Sequence, residues 1–185
     1  MKKIFNILLV LLSTVLLFSC RNENDIPEDI HEHEEIEKLV VKVVEKNSLA
    51  EQTINYIGGV ADKPILLENG KTYSVSLDFQ VKHGNEFHSA IDEIEEEKDE
   101  HFITYTFAGV DVNIVRTADD IIRTDGKKLG LKTEWTVNSA PSSAKVNIRL
   151  IHGADSVNDQ TPSAANQLGS VTGGESDVDA LIDIQ

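Results

Sequence analysis

The chain has little cysteine, little positive charge and no second long apolar run, and each shortage excludes a class of protein. Its one cysteine, Cys20, has no partner for an intrachain disulfide, so the fold must depend on its hydrophobic core. The sequence carries 17 Lys and Arg against 32 Asp and Glu, for a formal net charge of −15. This balance argues against nucleic-acid binding and against electrostatic adhesion to anionic lipid, and it would attract cations.

Sequence signatures of the common enzyme classes are also missing. There is no Gly-x-Ser-x-Gly, no His-Glu-x-x-His, no Gly-rich phosphate loop and no candidate cysteine nucleophile. The run Glu95-Glu96-Glu97 has two interpretations, an acid/base pair or the solvated face of a short helix, and the second is the simpler one. We therefore expect a protein that is not an enzyme.

The first twenty residues have the pattern of a bacterial lipoprotein signal. Two lysines precede an apolar run from Ile4 to Phe18, which ends in Leu17-Phe18-Ser19-Cys20, a Leu-x-small-Cys lipobox. The run is too short and too abruptly ended for a comfortable membrane span. We expect residues 1–19 to be a lipoprotein signal peptide and Cys20 to carry acyl chains such as palmitate. The alternative is an ordinary signal peptide that happens to contain a cysteine.

The remaining chain divides into a tether and one domain. Residues 20–35 are polar and acidic, with almost no large apolar side chains, so they are predicted to form a flexible tether. Residues 36–185 suffice for one domain with a real core, but not comfortably for two. Arg21 stands where inner-membrane retention would require aspartate. We therefore expect anchoring to the outer membrane, with a periplasmic or surface-facing domain.

Alternation of apolar and polar residues dominates the domain. Residues 73–81 alternate without interruption, and Trp135 shares one face of a second alternating segment with Leu131 and Val137, which predicts that Trp135 lies in the core. Further strands are predicted at 39–44, 53–57, 101–107, 111–115, 146–150 and 178–184.

Two segments depart from this alternation. Residues 89–100 predict a short acidic helix, with Ser89 as N-cap and with Ile91 and Ile94 at helical spacing. Residues 153–176 are rich in Gly, Ser, Asn, Ala and Asp and predict a long surface loop. Together the segments predict an all-β fold, an immunoglobulin-like antiparallel β-sandwich of about 8–9 strands with one short helix.

Three histidines are in phase with the apolar residues of predicted strands, at strand ends. His83 and His152 follow their strands, whereas His101 begins one. If every connection reverses the chain, all three lie at one end of the sandwich, beside the start of the first strand. Imidazoles close to carboxylates are ligands that Zn²⁺ and other borderline divalent ions accept.

The predicted metal ligands are His101 and His152, with His33 and Glu97 as secondary candidates. For His31 and His33 the simpler interpretation is a polar tether, and for His83 and His88 it is an ordinary solvated or internally satisfied side chain. The expected cofactor is Zn or another divalent transition metal, and the alternative is no cofactor.

Several motifs carry a resemblance to a known group of proteins. They are Cys20 with its acidic tether, His31-Glu-His33-Glu-Glu-Ile36, Glu95-Glu-Glu-Lys-Asp-Glu-His101-Phe102, Gly130-Leu-Lys-Thr133 and Arg149-Leu-Ile-His152. In these the chain resembles small acidic lipoproteins of Bacteroidota, often loosely named type 1 periplasmic-binding-fold proteins. That name implies a large α/β fold, which the lack of βαβ alternation here contradicts. The resemblance implies an association with TonB-dependent metal or haem uptake, and His101 and His152 fall within its recurring motifs.

The function expected from these observations is non-enzymatic. We expect a monomeric, membrane-anchored, extracytoplasmic lipoprotein that binds a ligand, as a transition-metal (Zn-like) or haem-iron accessory to a TonB-dependent uptake receptor. The alternative is a protein-interaction or assembly subunit of the cell envelope, whose histidines are incidental. Binding of nucleic acid is not expected.

Overall fold

The computed structural model describes residues 35–160 and 166–185. The predictions for the signal peptide, for Cys20, for His31 and His33 and for most of the tether lie outside the described residues. Within them, no helix is long and apolar enough to cross a membrane.

The described chain is almost entirely β-structure, as the alternation predicts. Its elements, in chain order, are β1 (Ile36–Glu45), β2 (Glu51–Ile57), β3 (Val60–Ala61), β4 (Thr72–His83), β5 (Glu86–Ser89), α1 (Ile91–Glu96), β6 (His101–Ala108), β7 (Val112–Arg116), β8 (Lys132–Val137), β9 (Ala144–Asn158), β10 (Gln167–Leu168) and β11 (Ser170–Ile184).

The strands form two antiparallel sheets. The first has the order β3-β2-β1-β4-β8-β7, with β5 paired to the end of β4, and the second has the order β10-β6-β9-β11. One main hydrophobic cluster includes residues of both sheets. The two-sheet, all-β architecture with one short helix is therefore confirmed. The strands outnumber the predicted 8–9 because β3, β5 and β10 are too short to show alternation in the sequence.

Alternating side chains build the core. On β4 the buried face carries Tyr73, Val75, Leu77, Phe79 and Val81, all in the predicted phase. The Trp135 side chain is fully buried, which confirms its predicted place. The Phe107 ring meets its indole edge-on, with centroids 4.9 Å apart. The Trp135 Nε1–H donates to Thr133 Oγ1 at 2.9 Å, so the indole dipole is satisfied inside the core.

The predicted acidic helix exists but is shorter than expected. α1 covers Ile91–Glu96, and its N-cap is Ala90 rather than Ser89. The Ser89 hydroxyl donates to Asp78 Oδ1 at 2.6 Å and accepts from the Ile91 N–H at 3.3 Å, so it lies one residue before the capping position. Ile94 is buried, as its helical spacing predicts.

The prediction of a long surface loop at residues 153–176 is wrong. β9 continues to Asn158 and β11 begins at Ser170, and the two strands pair from Ser170↔Asn158 to Ile184↔Ala144. Small and polar residues obscure this ribbon, because strand propensity reflects side-chain packing, whereas backbone pairing supplies the ladder here. The register shifts twice, between Thr172 and Gly173 and between Ser176 and Val178.

Candidate functional site

His101 and His152 are directly opposite residues on β6 and β9. Both strands run in the middle of the second sheet, so the antiparallel register alone brings the two side chains onto one face. Their ring centroids lie 5.1 Å apart, with the ring planes tilted by 30°. We call these two residues the buried pair, after the buried His101; the His152 side chain is 26% exposed.

The His101 imidazole is held at one ring nitrogen and has a carboxylate near the other. It is only 5% exposed, and its Nδ1 lies 3.2 Å from the backbone carbonyl oxygen of Glu97. A carbonyl oxygen only accepts, so Nδ1 carries the hydrogen in this contact, and in the neutral ring the lone pair is on Nε2. That nitrogen lies 3.8 Å from Asp177 Oδ2.

The His152 imidazole is fixed in a complementary way. Its Nε2 lies 3.0 Å from Glu100 Oε2. A carboxylate accepts, so Nε2 carries a hydrogen, and in the neutral ring the lone pair is on Nδ1. Each ring thus has one nitrogen that donates to an oxygen of the connection between α1 and β6.

A β-bulge on β11 places Asp177. Glu175 pairs with His152, Ser176 with Ile151 and Val178 with Leu150, so Asp177 is the extra residue on its strand. Bulges redirect side chains and often lie near functional sites. Gly174, just before it, has φ +79°, and a Cβ there would lie 2.7 Å from the His152 carbonyl oxygen, so this close approach of backbones requires glycine.

Arg123 holds the connection that carries Glu97 and Glu100. Its Nη1 donates to the carbonyl oxygen of Lys98 at 2.9 Å and to that of His101 at 2.5 Å. The side chain is 9% exposed, which makes these charge-assisted bonds a strong local restraint.

Burial sets the charge state of His101. Desolvation lowers the pKa of this imidazole below its ordinary value of 6.5, because the interior disfavours the charged form, and the neighbouring His152 lowers it further. The hydrogen bond to Glu97 and the charges of Asp177 and Glu97 act in the opposite direction but do not cancel the lowering. Near neutral pH the ring is therefore uncharged, which is the form that binds metal.

A cleft of about 650 Å³ opens beside the buried pair. Its walls are the start of β1 (35–39), the end of β2 with its turn (56–59) and the bulged part of β11 (177–179). Tyr56 crosses one side, where its hydroxyl donates to the Asp179 carbonyl oxygen at 3.2 Å. Of its five charged lining residues four are acidic and only Lys38 is basic, so the cleft favours cations over anions. Asp177 belongs to both the cleft and the surroundings of His101.

The predicted ligands are placed unequally. The structure brings His101 and His152 together, as the strand count requires, whereas their role as metal ligands stays a prediction. Glu97, the C-cap of α1, contacts His101 through its backbone carbonyl oxygen. His33 lies outside the described residues.

Asp177, Glu100 and Arg123 were not predicted from the sequence as part of the site. Glu100 directly precedes His101, and this position next to a predicted ligand was the one sequence signal for its place in the site. The sequence contains no signal for Asp177. A bulge interrupts the alternation of apolar and polar residues from which strands are predicted. Among the residues that the structure describes, no group of three or more His, Cys, Asp or Glu side chains is already arranged to hold a metal ion.

Comparisons with known proteins do not extend this description. The sequence matches no family model, and no curated protein or solved structure matches it either. The fold and the site define a two-sheet antiparallel β-protein, with one buried and one partly exposed imidazole side by side at the end of the fold where an acidic cleft opens.

Proposed function

We propose that this protein is an outer-membrane-anchored lipoprotein that binds a Zn-like divalent transition metal at the buried pair. The observation that carries the proposal is the 5.1 Å separation of the His101 and His152 ring centroids. Two imidazoles that share one tetrahedral zinc, each about 2.0–2.1 Å from it, have centroids roughly 5 Å apart. The pair therefore needs little movement to share an ion.

The hydrogen bonds of the two rings support the same proposal. Metal-binding histidines almost always donate their second ring N–H to a carbonyl or carboxylate, which fixes the tautomer and the ring orientation. His101 donates from Nδ1 to Glu97, and His152 donates from Nε2 to Glu100. His101 Nε2 and His152 Nδ1 are then the nitrogens that would contact the metal.

Asp177 is the natural third ligand. Adjacent ligands of a tetrahedral zinc lie roughly 3.3 Å apart, and Asp177 Oδ2 lies 3.8 Å from His101 Nε2. The carboxylate side chain is 30% exposed, and a shift of about half an ångström would bring it to the tetrahedral spacing. Water or a further ligand would complete the coordination shell. A shell completed by water leaves the ion exchangeable, which transport of a metal to a receptor requires.

In this proposal the protein handles a metal and catalyses no reaction. Cys20 anchors the chain, and a TonB-dependent receptor is the proposed partner for transfer of a transition metal or of haem iron.

Replacement of Cys20 by Ser should release the protein from membranes or leave it unprocessed. Unchanged membrane fractionation with normal processing would disprove the anchor.

A second function, a protein-interaction or assembly subunit of the envelope, rests on one observation. In the described part of the chain no ready three-ligand group surrounds the buried pair. In that case the imidazoles of the buried pair are structural, and replacing either of them does not change the response of the protein to added metal.

The decisive experiment is metal analysis of the mature lipoprotein, purified in detergent without a His-tag, followed by melting with and without micromolar Zn²⁺. A folded-state site raises the melting temperature by mass action. We expect His101→Ala and His152→Ala each to abolish most of the rise that depends on the buried pair. Thr106→Ala, at an exposed position on β6, should keep it. Equal Zn²⁺ responses in all four proteins would exclude this site.

A further inference from the structure

The hairpin of β4 and β5 carries a second histidine pair, separate from the buried pair. Its register pairs His83 with Glu86 and Val81 with His88, so His83, Glu86 and His88 share one face. Successive residues of a strand alternate between faces, and this face continues the one that buries Val81. Two imidazoles and one carboxylate therefore lie on one face of a short two-stranded ribbon.

The rings of this hairpin pair are already in contact. The centroids of His83 and His88 are 5.3 Å apart, and the ring planes are nearly perpendicular, at 86°. The separation is again close to the roughly 5 Å expected for two imidazoles on one tetrahedral ion. His88 Nε2 lies 4.0 Å from Glu86 Oε2, which places the carboxylate beside the same rings.

The opposite face steadies the hairpin. Phe87 pairs with Lys82, and the ammonium groups of Lys38 and Lys82 lie 5.2 and 6.0 Å from the centroid of the Phe87 ring. Cation–π contacts of this length add a modest restraint. The histidine face therefore does not depend on the backbone ladder alone for its shape.

We propose that His83, Glu86 and His88 form a solvent-exposed binding site for a divalent transition metal, with water completing the shell. Two neutral imidazoles and one carboxylate suit Cu²⁺, Ni²⁺ and Zn²⁺, and Cu²⁺ binds such a set most tightly. The site is independent of the buried pair, because the two pairs lie on different sheets and share no residue.

The test uses the mature lipoprotein, tag-free and in detergent, with His31, His33, His101 and His152 replaced by Ala, so that His83 and His88 are the histidines that remain. Cu²⁺ is the probe, read by electron paramagnetic resonance and by titration calorimetry. We expect one bound Cu²⁺ with two nitrogen ligands. In this background His83→Ala or His88→Ala should weaken binding at least tenfold and remove one of the two nitrogens.

The matched control is Ser74→Ala, at an exposed position of β4 nine residues before His83, which should leave the Cu²⁺ spectrum unchanged. If the Ala variants lose their folded circular dichroism, the background is made with Gln at positions 101 and 152 instead. A Cu²⁺ signal that is absent in the background, or that persists unaltered in both His83→Ala and His88→Ala, overturns the proposal. Neither result bears on Zn²⁺ binding at the buried pair, so the two failures are distinguishable.

Discussion

The two histidine pairs have nearly the same spacing but opposite surroundings. In the buried pair, His101 is desolvated, and the ring nitrogens are fixed by Glu97 and Glu100. In the hairpin pair, the His88 side chain is 55% exposed and the adjacent Glu86 is 83% exposed. The comparison teaches that distance alone does not define a site. Burial and outer hydrogen bonds decide how firmly two imidazoles are held.

The largest expected change in unfolding free energy comes from Arg123, which supports the connection beside the buried pair. Arg123→Met removes the two charge-assisted bonds to Lys98 and His101 and leaves their carbonyls without that donor. We expect a loss of about 2–4 kcal/mol of unfolding free energy, measured by urea denaturation. Lys127→Met is the control, because its ion pair with Asp125 is partly exposed, and it should cost less than about 1 kcal/mol. Equal costs would show that Arg123 is not a special restraint.

The next effect separates the two carboxylates beside His101. Asp177→Asn should weaken Zn²⁺ binding at the buried pair about 10–100-fold, because it removes the charge nearest His101 Nε2. Glu97→Gln should change it far less, since the described contact of Glu97 with His101 uses the backbone. Calorimetric titration of both variants in a His83→Ala background isolates this site. A larger loss in Glu97→Gln would restore the sequence prediction that its side chain is a ligand.

A smaller effect is expected from the dependence of fold stability on pH. The pKa of His101 is lower in the folded protein than the value of 6.5 that an unperturbed imidazole has, so the unfolded chain binds more protons. This group therefore stabilises the fold fully above about pH 6.5 and loses that contribution as the pH falls below it. His101→Gln should flatten the fall in the urea midpoint between about pH 7.5 and pH 5.5. The titratable groups that face this ring, His152, Asp177 and Glu97, are unchanged in the His101→Gln variant.

The smallest effect is at the hairpin pair. His88→Ala should change the metal-free unfolding free energy by less than about 0.5 kcal/mol, since the side chain is largely exposed. The same variant should nevertheless lose Cu²⁺ binding, which separates a ligand from a packing residue. A metal-free loss well above this value would mean that the hairpin pair is structural.

The β-architecture was predictable because one face of each long strand is buried. Alternation at 73–81 and around Trp135 reports that burial directly. The adjacency of His101 and His152 followed from strand phase and from the number of chain reversals. The ribbon of β9 and β11 was not predictable, since its Gly, Ser and Asp residues pair through the backbone and leave little side-chain signal. Asp177 was hidden for the same reason, because a bulge inserts one residue out of phase.

The bulge at Asp177 also links two parts of the surface. Its carboxylate lies 3.8 Å from His101 and at the same time lines the acidic cleft. One carboxylate cannot satisfy two cations independently, so an ion at the buried pair and a cationic occupant of the cleft would compete for it. By thermodynamic reciprocity, each would weaken the other's affinity by the same factor. A cationic segment of a partner that entered the cleft would thus lower metal affinity at the moment of contact, and docking and release would become a single event.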